Sequence, residues 1–244
     1  MAYKESSIDI IGDVVSAMTF PCNILAYVNN TGGVHTLTLD NMYHAQPGKK
    51  ITIGILEYTI TGTTEANVPA CADPDYDVIV ISGDAANIVL TTFNMYTPKV
   101  FHGTPIAQGV ELAKKTQAKD KTPMGWFMEQ YKDHMYEDET QNKERDIQFR
   151  YFFLSEGNPD KWTSEQALRY GIKPMQRLAE NFIAKLKTMA YRFDVDNLEY
   201  DLLTYAKFGV FLTNKGMTNS LWHDKLSGVE LNFSGLTVFR RDRC

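Results

Sequence analysis

The chain has 244 residues, 43% of them hydrophobic and 23% charged, which is the balance of an ordinary globular protein with one large or two modest cores and little extended disorder. Twenty-five Lys and Arg against 30 Asp and Glu give a net charge of -5, the wrong sign for a surface that grips nucleic acid throughout. Cys22, Cys71 and Cys244 are far apart and form no C-x-x-C pair, which argues against a disulfide framework or a zinc site.

The start MAYKESSID lacks a basic region followed by an apolar one, and no run of about 18 apolar residues occurs, so a soluble, non-exported protein in a reducing compartment is expected. From residue 8 to about 100 the sequence breaks into short β-like runs: IDIIGDVVSAM, NILAYVNN, VHTLTLD, KKITIGILEYTIT, YDVIVISGD and NIVLTTFNMY. Turn signals separate them, among them Thr31-Gly32-Gly33, Pro47-Gly48, Asp73-Pro74-Asp75 and Ser82-Gly83-Asp84. Within VHTLTL, His35, Leu37 and Leu39 share one face and Val34, Thr36 and Thr38 the other, so one face is expected to be half-buried. Residues 1–102 therefore read as an all-β domain, sandwich or barrel-like.

The character changes at Thr104-Pro105, where an N-cap threonine and a proline at the first helical position introduce a helix over IAQGVELAKKTQAKDK. A second domain, 103–244, is expected from here. MGWFME (124–129) and RDIQFRYFFLSE (145–156) read as two strands around a solvated loop, with Ile147, Phe149, Tyr151 and Phe153 on one face of the second. Thr163 or Ser164 caps a helix through SEQALRYG, interrupted by Gly171 and Pro174. A longer amphipathic helix follows, with Met175, Leu178, Phe182, Leu186 and Met189 on one stripe. LTYAKFGVFLT and SGVELNFSGLTVFR close the chain as strands on either side of NKGMTNSLWHDK. The class is α+β: the all-β domain followed by an α/β unit.

Candidate chemistry is sparse. His35, His44, His102, His134 and His223 show no metal-ligand spacing. His223-Asp224 beside Trp222 pairs an imidazole with a carboxylate, but neighbours on a strand point to opposite faces. Glu137-Asp138-Glu139 and the pair Asp73, Asp75 do not match a calcium loop and read as solvated. Thr31-Gly32-Gly33 and Ser82-Gly83-Asp84 read as turns, since no phosphate-binding glycine motif accompanies them. No nucleophile elbow occurs, and a solvated terminus accounts for FRRDR (239–243). The expectation is a non-enzyme with no catalytic residue, no cofactor and no metal. Rings on both faces of the strand through Phe149, Tyr151, Phe152 and Phe153 suggest burial on both sides, by helices or by a neighbouring subunit, with packing in the chain's own core the stronger reading and an interface the other. Phe149, Arg150, Phe152 and Trp126 are the interface residues this suggests, with charge reversal at Arg150 expected to hinder assembly while leaving the monomer folded.

The order of segments FHGTPIAQGVELAKK, TPMGWFMEQYKD, IQFRYFFLSEG, IKPMQRLAENFIAKL and GVFLTNKGM...LWHDKLSGVELNFSGLTV, over residues 101–240, resembles neck and tail-completion proteins of tailed bacteriophages, including the crAss-like phages of Bacteroidetes hosts. The resemblance implies a tail terminator-like α/β unit that closes into a homo-oligomeric ring, six- or twelve-fold, around the DNA channel in the head-to-tail connector. Portal, connector and tail proteins would be its neighbours and genomic DNA would pass without sequence-specific binding. It further implies no membrane, a place in the virion neck, and assembly in the host cytoplasm. The residues leave two other readings open: a monomeric β-sandwich that binds a ligand or glycan, fused to an α/β domain, and an enzyme of unfamiliar type.

Overall fold

The structure, a computed structural model, describes residues 6–64, 77–83, 88, 92–103, 122–128, 131–136, 143–157, 162–212, 218–220 and 225–239. It is mostly β and divides into two compact units, Thr19–Thr97 and a discontinuous one made of Met1–Met18 with Pro98–Cys244. The break expected at 102/103 therefore lies earlier, and the first eighteen residues belong with the C-terminal half.

The Thr19–Thr97 unit is all-β. Its strands are β1 (Pro21–Asn30), β2 (Val34–Leu39), β3 (Lys50–Ile53), β4 (Leu56–Thr64), β5 (Asp77–Ser82) and β6 (Thr92–Asn94). They form one antiparallel sheet in the order β3-β4-β5-β2-β1-β6, whose end strands β3 and β6 approach each other to give a nearly closed barrel. The β1–β2 connection is Thr31-Gly32-Gly33, with φ of 79° and 72° at the two glycines, a conformation that side-chain-bearing residues adopt only with strain. Alternation does the rest: His35, Leu37 and Leu39 of β2, Tyr58 and Ile60 of β4, and Ile79 and Ile81 of β5 all turn inward and are at most 1% exposed.

In the other unit, α1 (Ser7–Ser16) covers a stretch read from sequence as a strand. Ser6 and Asp9 form a reciprocal capping box at its start, and Ile10, Ile11, Val14 and Val15 line one buried stripe. The sheet contains β7 (Lys99–Gly103), β8 (Met124–Met128), β9 (Lys132–Met135), β10 (Lys143–Glu156), β11 (Glu199–Phe208) and β14 (Leu226–Phe239), with a small separate hairpin of β12 (Val210–Leu212) and β13 (Thr218–Ser220). Strand order is β11-β14-β10-β8-β7, and β9 lies beside β8 on the same flank of β10. Among the described strands of this sheet, β7 and β8 alone run parallel.

Between β10 and β11 the chain forms α2 (Ser164–Ala167), a π-helical turn over Leu168–Ile172, and α3 (Lys173–Thr188). Thr163 caps α2 together with Gln166. Gly171 and Pro174 do not end the helix as expected: Gly171 sits in the π turn against Ser227, and Pro174 lies in the first turn of α3, where its missing N–H is no loss. The stripe Met175, Leu178, Phe182 and Leu186 is fully buried at 0% exposure. At about 1.5–3 kcal/mol for each such side chain, this burial is the main force fixing α3 on the sheet.

Several expectations fall outside the described residues: the helix after Thr104, Glu137-Asp138-Glu139, Asp73 and Asp75, Trp222-His223-Asp224, and the basic C-terminal end after Phe239.

Candidate functional site

Strand β10 organises the C-terminal unit because apolar residues occupy both of its faces. On the helix side, Tyr151 stacks on Phe182 at 5.2 Å between ring centroids, while Phe149 stacks on Phe233 at 4.4 Å and on Phe127 at 5.4 Å. On the outer side, Phe152 stacks on Trp126 at 4.7 Å, inside a cluster completed by Met124, Leu154, Phe208 and Leu226. The Trp126 indole donates to the Gly103 carbonyl at 3.0 Å, so its one polar atom is satisfied.

This placement corrects the interface assignment. Phe149, Phe152 and Trp126 are each 2% exposed within a single chain, so the double-faced aromatic strand is covered by its own unit. Arg150 alone keeps surface, with 43% of its side chain exposed. Its guanidinium forms a two-pronged ion pair with Glu230, which is 1% exposed and also accepts from the Tyr205 hydroxyl at 2.5 Å. Burial and the Glu230 hydrogen bond both push the Tyr205 hydroxyl pKa upward. Reversing the charge at Arg150 would set two carboxylates together at a buried position, so the fold would suffer before any assembly did.

Beside this network lies a shallow groove of 480 Å³ lined by Tyr131, Lys132, Gln148, Arg150, Asn232 and Ser234 among others. Its amide, hydroxyl and cationic groups provide polar contacts along the outer face.

The two edges of the sheet are the larger feature. Among the described residues, β11 pairs with β14 and with no second strand, and β7 pairs only with β8. Nearly all of β11 is exposed: Tyr200, Leu202 and Leu203 are 41–42% accessible, and Glu199, Asp201 and Lys207 are exposed with them. The register with β14 places Tyr200 and Leu202 on the helix side and Asp201 and Leu203 on the outer side. The opposite edge carries Val100 at 46% exposure between Lys99 and half-buried Phe101, followed by exposed His102; nearby β9 adds Lys132, His134 and Met135. Apart from His102 and His134, which were weighed only as metal ligands, these positions were not singled out from sequence. The usable signal was that EYDLLTY carries apolar residues on both faces, as β10 does.

The histidines are dispersed. His35 lies against the Tyr27 hydroxyl at 3.0 Å, and His44 Nε2 meets the Tyr96 carbonyl at 2.6 Å, both inside the barrel-like unit. Burial lowers the His44 pKa to about 4 and raises the Cys22 thiol to about 12. A thiol held protonated in this way is a poor nucleophile. Thr31-Gly32-Gly33 is a turn, as read from sequence. Among the described residues, no group of three His, Cys, Asp or Glu side chains is placed to hold a metal ion, and no helix is long and apolar enough to cross a membrane.

Comparison with known proteins gives no match, whether to family models, to curated proteins or to solved structures.

Proposed function

We propose that the chain is a structural virion protein of a tailed phage: a subunit of a homo-oligomeric ring in the head-to-tail connector, tail terminator-like in its C-terminal unit. The observation that carries the reading is β11, ten residues long, apolar on both faces and exposed along an edge with no second strand among the described residues. Such an edge invites uncontrolled pairing in water unless it is blunted or covered, and a closed ring covers it once in every copy.

In this reading the neighbours are further copies in a six- or twelve-fold ring, with portal, connector and tail proteins above and below. The net charge of -5 suits a channel wall past which DNA slides without sticking. The barrel-like unit supplies a second surface for the portal, an adjacent ring or the tail. The place of work is the virion neck, after assembly in the host cytoplasm.

Light scattering coupled to size-exclusion chromatography, with negative-stain microscopy, tests the proposal: rings support it, and a strict monomer at high concentration counts against it. The groove beside Arg150 favours a second reading, a monomeric glycan-binding module. Glycan-array binding by a monomer would replace the ring by that reading.

A further inference from the structure

We infer that the ring forms by head-to-tail extension of the C-terminal sheet, the β11 edge of one copy pairing antiparallel with the β7 edge of a second copy of this chain. The inference deepens the function proposed above and rests on it.

Strand directions come first. β11 runs antiparallel to β14, β14 to β10, and β10 to β8, while β8 and β7 are parallel. The two outermost strands therefore run in opposite directions within one sheet. When a copy is carried around a ring axis without being turned over, its β7 arrives beside its neighbour's β11 in antiparallel sense, the geometry with the straighter hydrogen bonds. The contact joins two different surfaces, so it propagates and closes by rotation instead of ending at a dimer.

Side chains agree with this pairing. Continuity of the helix side places Val100 against Tyr200 or Leu202, three exposed apolar groups that would shield one another. On the outer side, Lys99 then falls opposite or diagonal to Asp201. A slip of one residue would set Val100 against Asp201 and send the apolar set to the wrong face, so the register is specified. The charges are complementary at large: Glu199 and Asp201 mark the acidic half of β11, and Lys99 marks β7, with Lys132 of β9 further along the same flank. Lys207, the one like charge on β11, lies beyond the reach of the five-residue β7 in either register.

The test uses the full chain with Lys99→Asp and Asp201→Lys, two exposed positions outside the core. Each variant alone should elute as a monomer under conditions where the parent forms its oligomer. An equimolar mixture should recover the parent's mass, because both junctions of an alternating ring then pair opposite charges. Leu202→Lys, which blunts the edge without touching the ion pair, should also be monomeric. Circular dichroism and thermal melting matching the parent confirm that loss of assembly is not loss of fold. If the parent assembles and all three variants assemble equally well, the edge pairing is overturned while the ring reading stands. If the parent itself is monomeric at every concentration, the ring reading fails with it.

Discussion

Tyr151 is the most over-determined side chain in the C-terminal unit, fully buried and stacked on Phe182, yet its hydroxyl has no hydrogen-bond partner among the described residues. Burial accordingly drives its pKa upward. The same oxygen lies 2.3 Å from where a Cβ on Gly125 would stand, so glycine at 125 is required by close approach and not by a turn. Gly125→Ala should lower stability by about 1–3 kcal/mol through overpacking. Tyr151→Phe, which removes an unsatisfied hydroxyl without opening a large cavity, should be neutral or stabilising by up to about 1 kcal/mol. The double variant should recover most of the alanine's cost, because the clashing atom is gone and the ring carbons left behind lie 3.0 Å away. Urea unfolding of the four proteins reads the cycle, and strict additivity would show that the clash is not the cause. Arg150 follows the opposite rule. Arg150→Met leaves Glu230 at 1% exposure with Tyr205 as its one side-chain partner among the described residues, and should cost about 2–3 kcal/mol, whereas Glu230→Gln keeps a hydrogen-bonding group in place and should cost less.

At the scale of elements, α1 shows where sequence reading went astray and why. IDIIGDVVSAM is rich in Ile and Val, which favours a strand by propensity, but Ile10, Val14 and Met18 recur at intervals of four, as do Ile11 and Val15, and Ser6 precedes Asp9 by three. Period outweighs propensity here because the apolar stripe has a surface to bury against. The helix is then anchored by polar contacts that no local pattern announces: the Ser7 hydroxyl donates to Asp133 at 2.6 Å, and buried Arg192 bonds Asp13 at 2.9 Å. Ser6→Ala, which removes the exposed half of the capping box, should lower the stability of this unit by about 1 kcal/mol in chemical unfolding. β10 and α3 were legible because their patterns are long. β7 was not: KVFHG is five residues, and the helix-start signal at Thr104-Pro105 drew the domain break past it. The face assignments along β10 were also correct as read, but sequence could not say that Trp126 and Phe208 arrive from other strands to cover Phe152. For that reason a neighbouring subunit entered the reading of the aromatic strand, while the open edges among the described residues lie on β11, read as a strand from Leu203 onward, and on β7, not read as a strand.

At the scale of the molecule, tryptophan is confined to one unit and the other carries a buried titration. His44 is completely buried between Phe20 and Tyr96, with its Nε2 donating to the Tyr96 carbonyl and its Nδ1 facing no partner among the described residues. A second proton would have to go on Nδ1, where nothing accepts it, so burial holds the folded-state pKa near 4. The unfolded chain binds that proton near pH 6.5. Above pH 6.5 neither state is protonated and the native form keeps its full margin. As pH falls from 6.5 to about 4, the unfolded state gains a proton that the folded state refuses, and stability is lost by roughly 1.4 kcal/mol per pH unit, on the order of 3 kcal/mol in all. Below pH 4 both states are protonated and this source contributes no further loss. His44→Gln, which retains a donor for the Tyr96 carbonyl without titrating, should flatten the dependence in that window. Trp126, Trp162 and Trp222 all lie outside residues 19–97, so tryptophan fluorescence follows the other unit. The expected outcome is therefore specific to one signal. Tyrosine and far-ultraviolet circular dichroism follow both units, so between pH 7 and 4.5 substitution at His44 should change the acid shift only of the part of their urea transition that tryptophan does not share, and leave the shift seen by tryptophan unaltered. Equal changes in both signals would mean that the units unfold as one, and an acid shift left unchanged in both signals would remove His44 as its source.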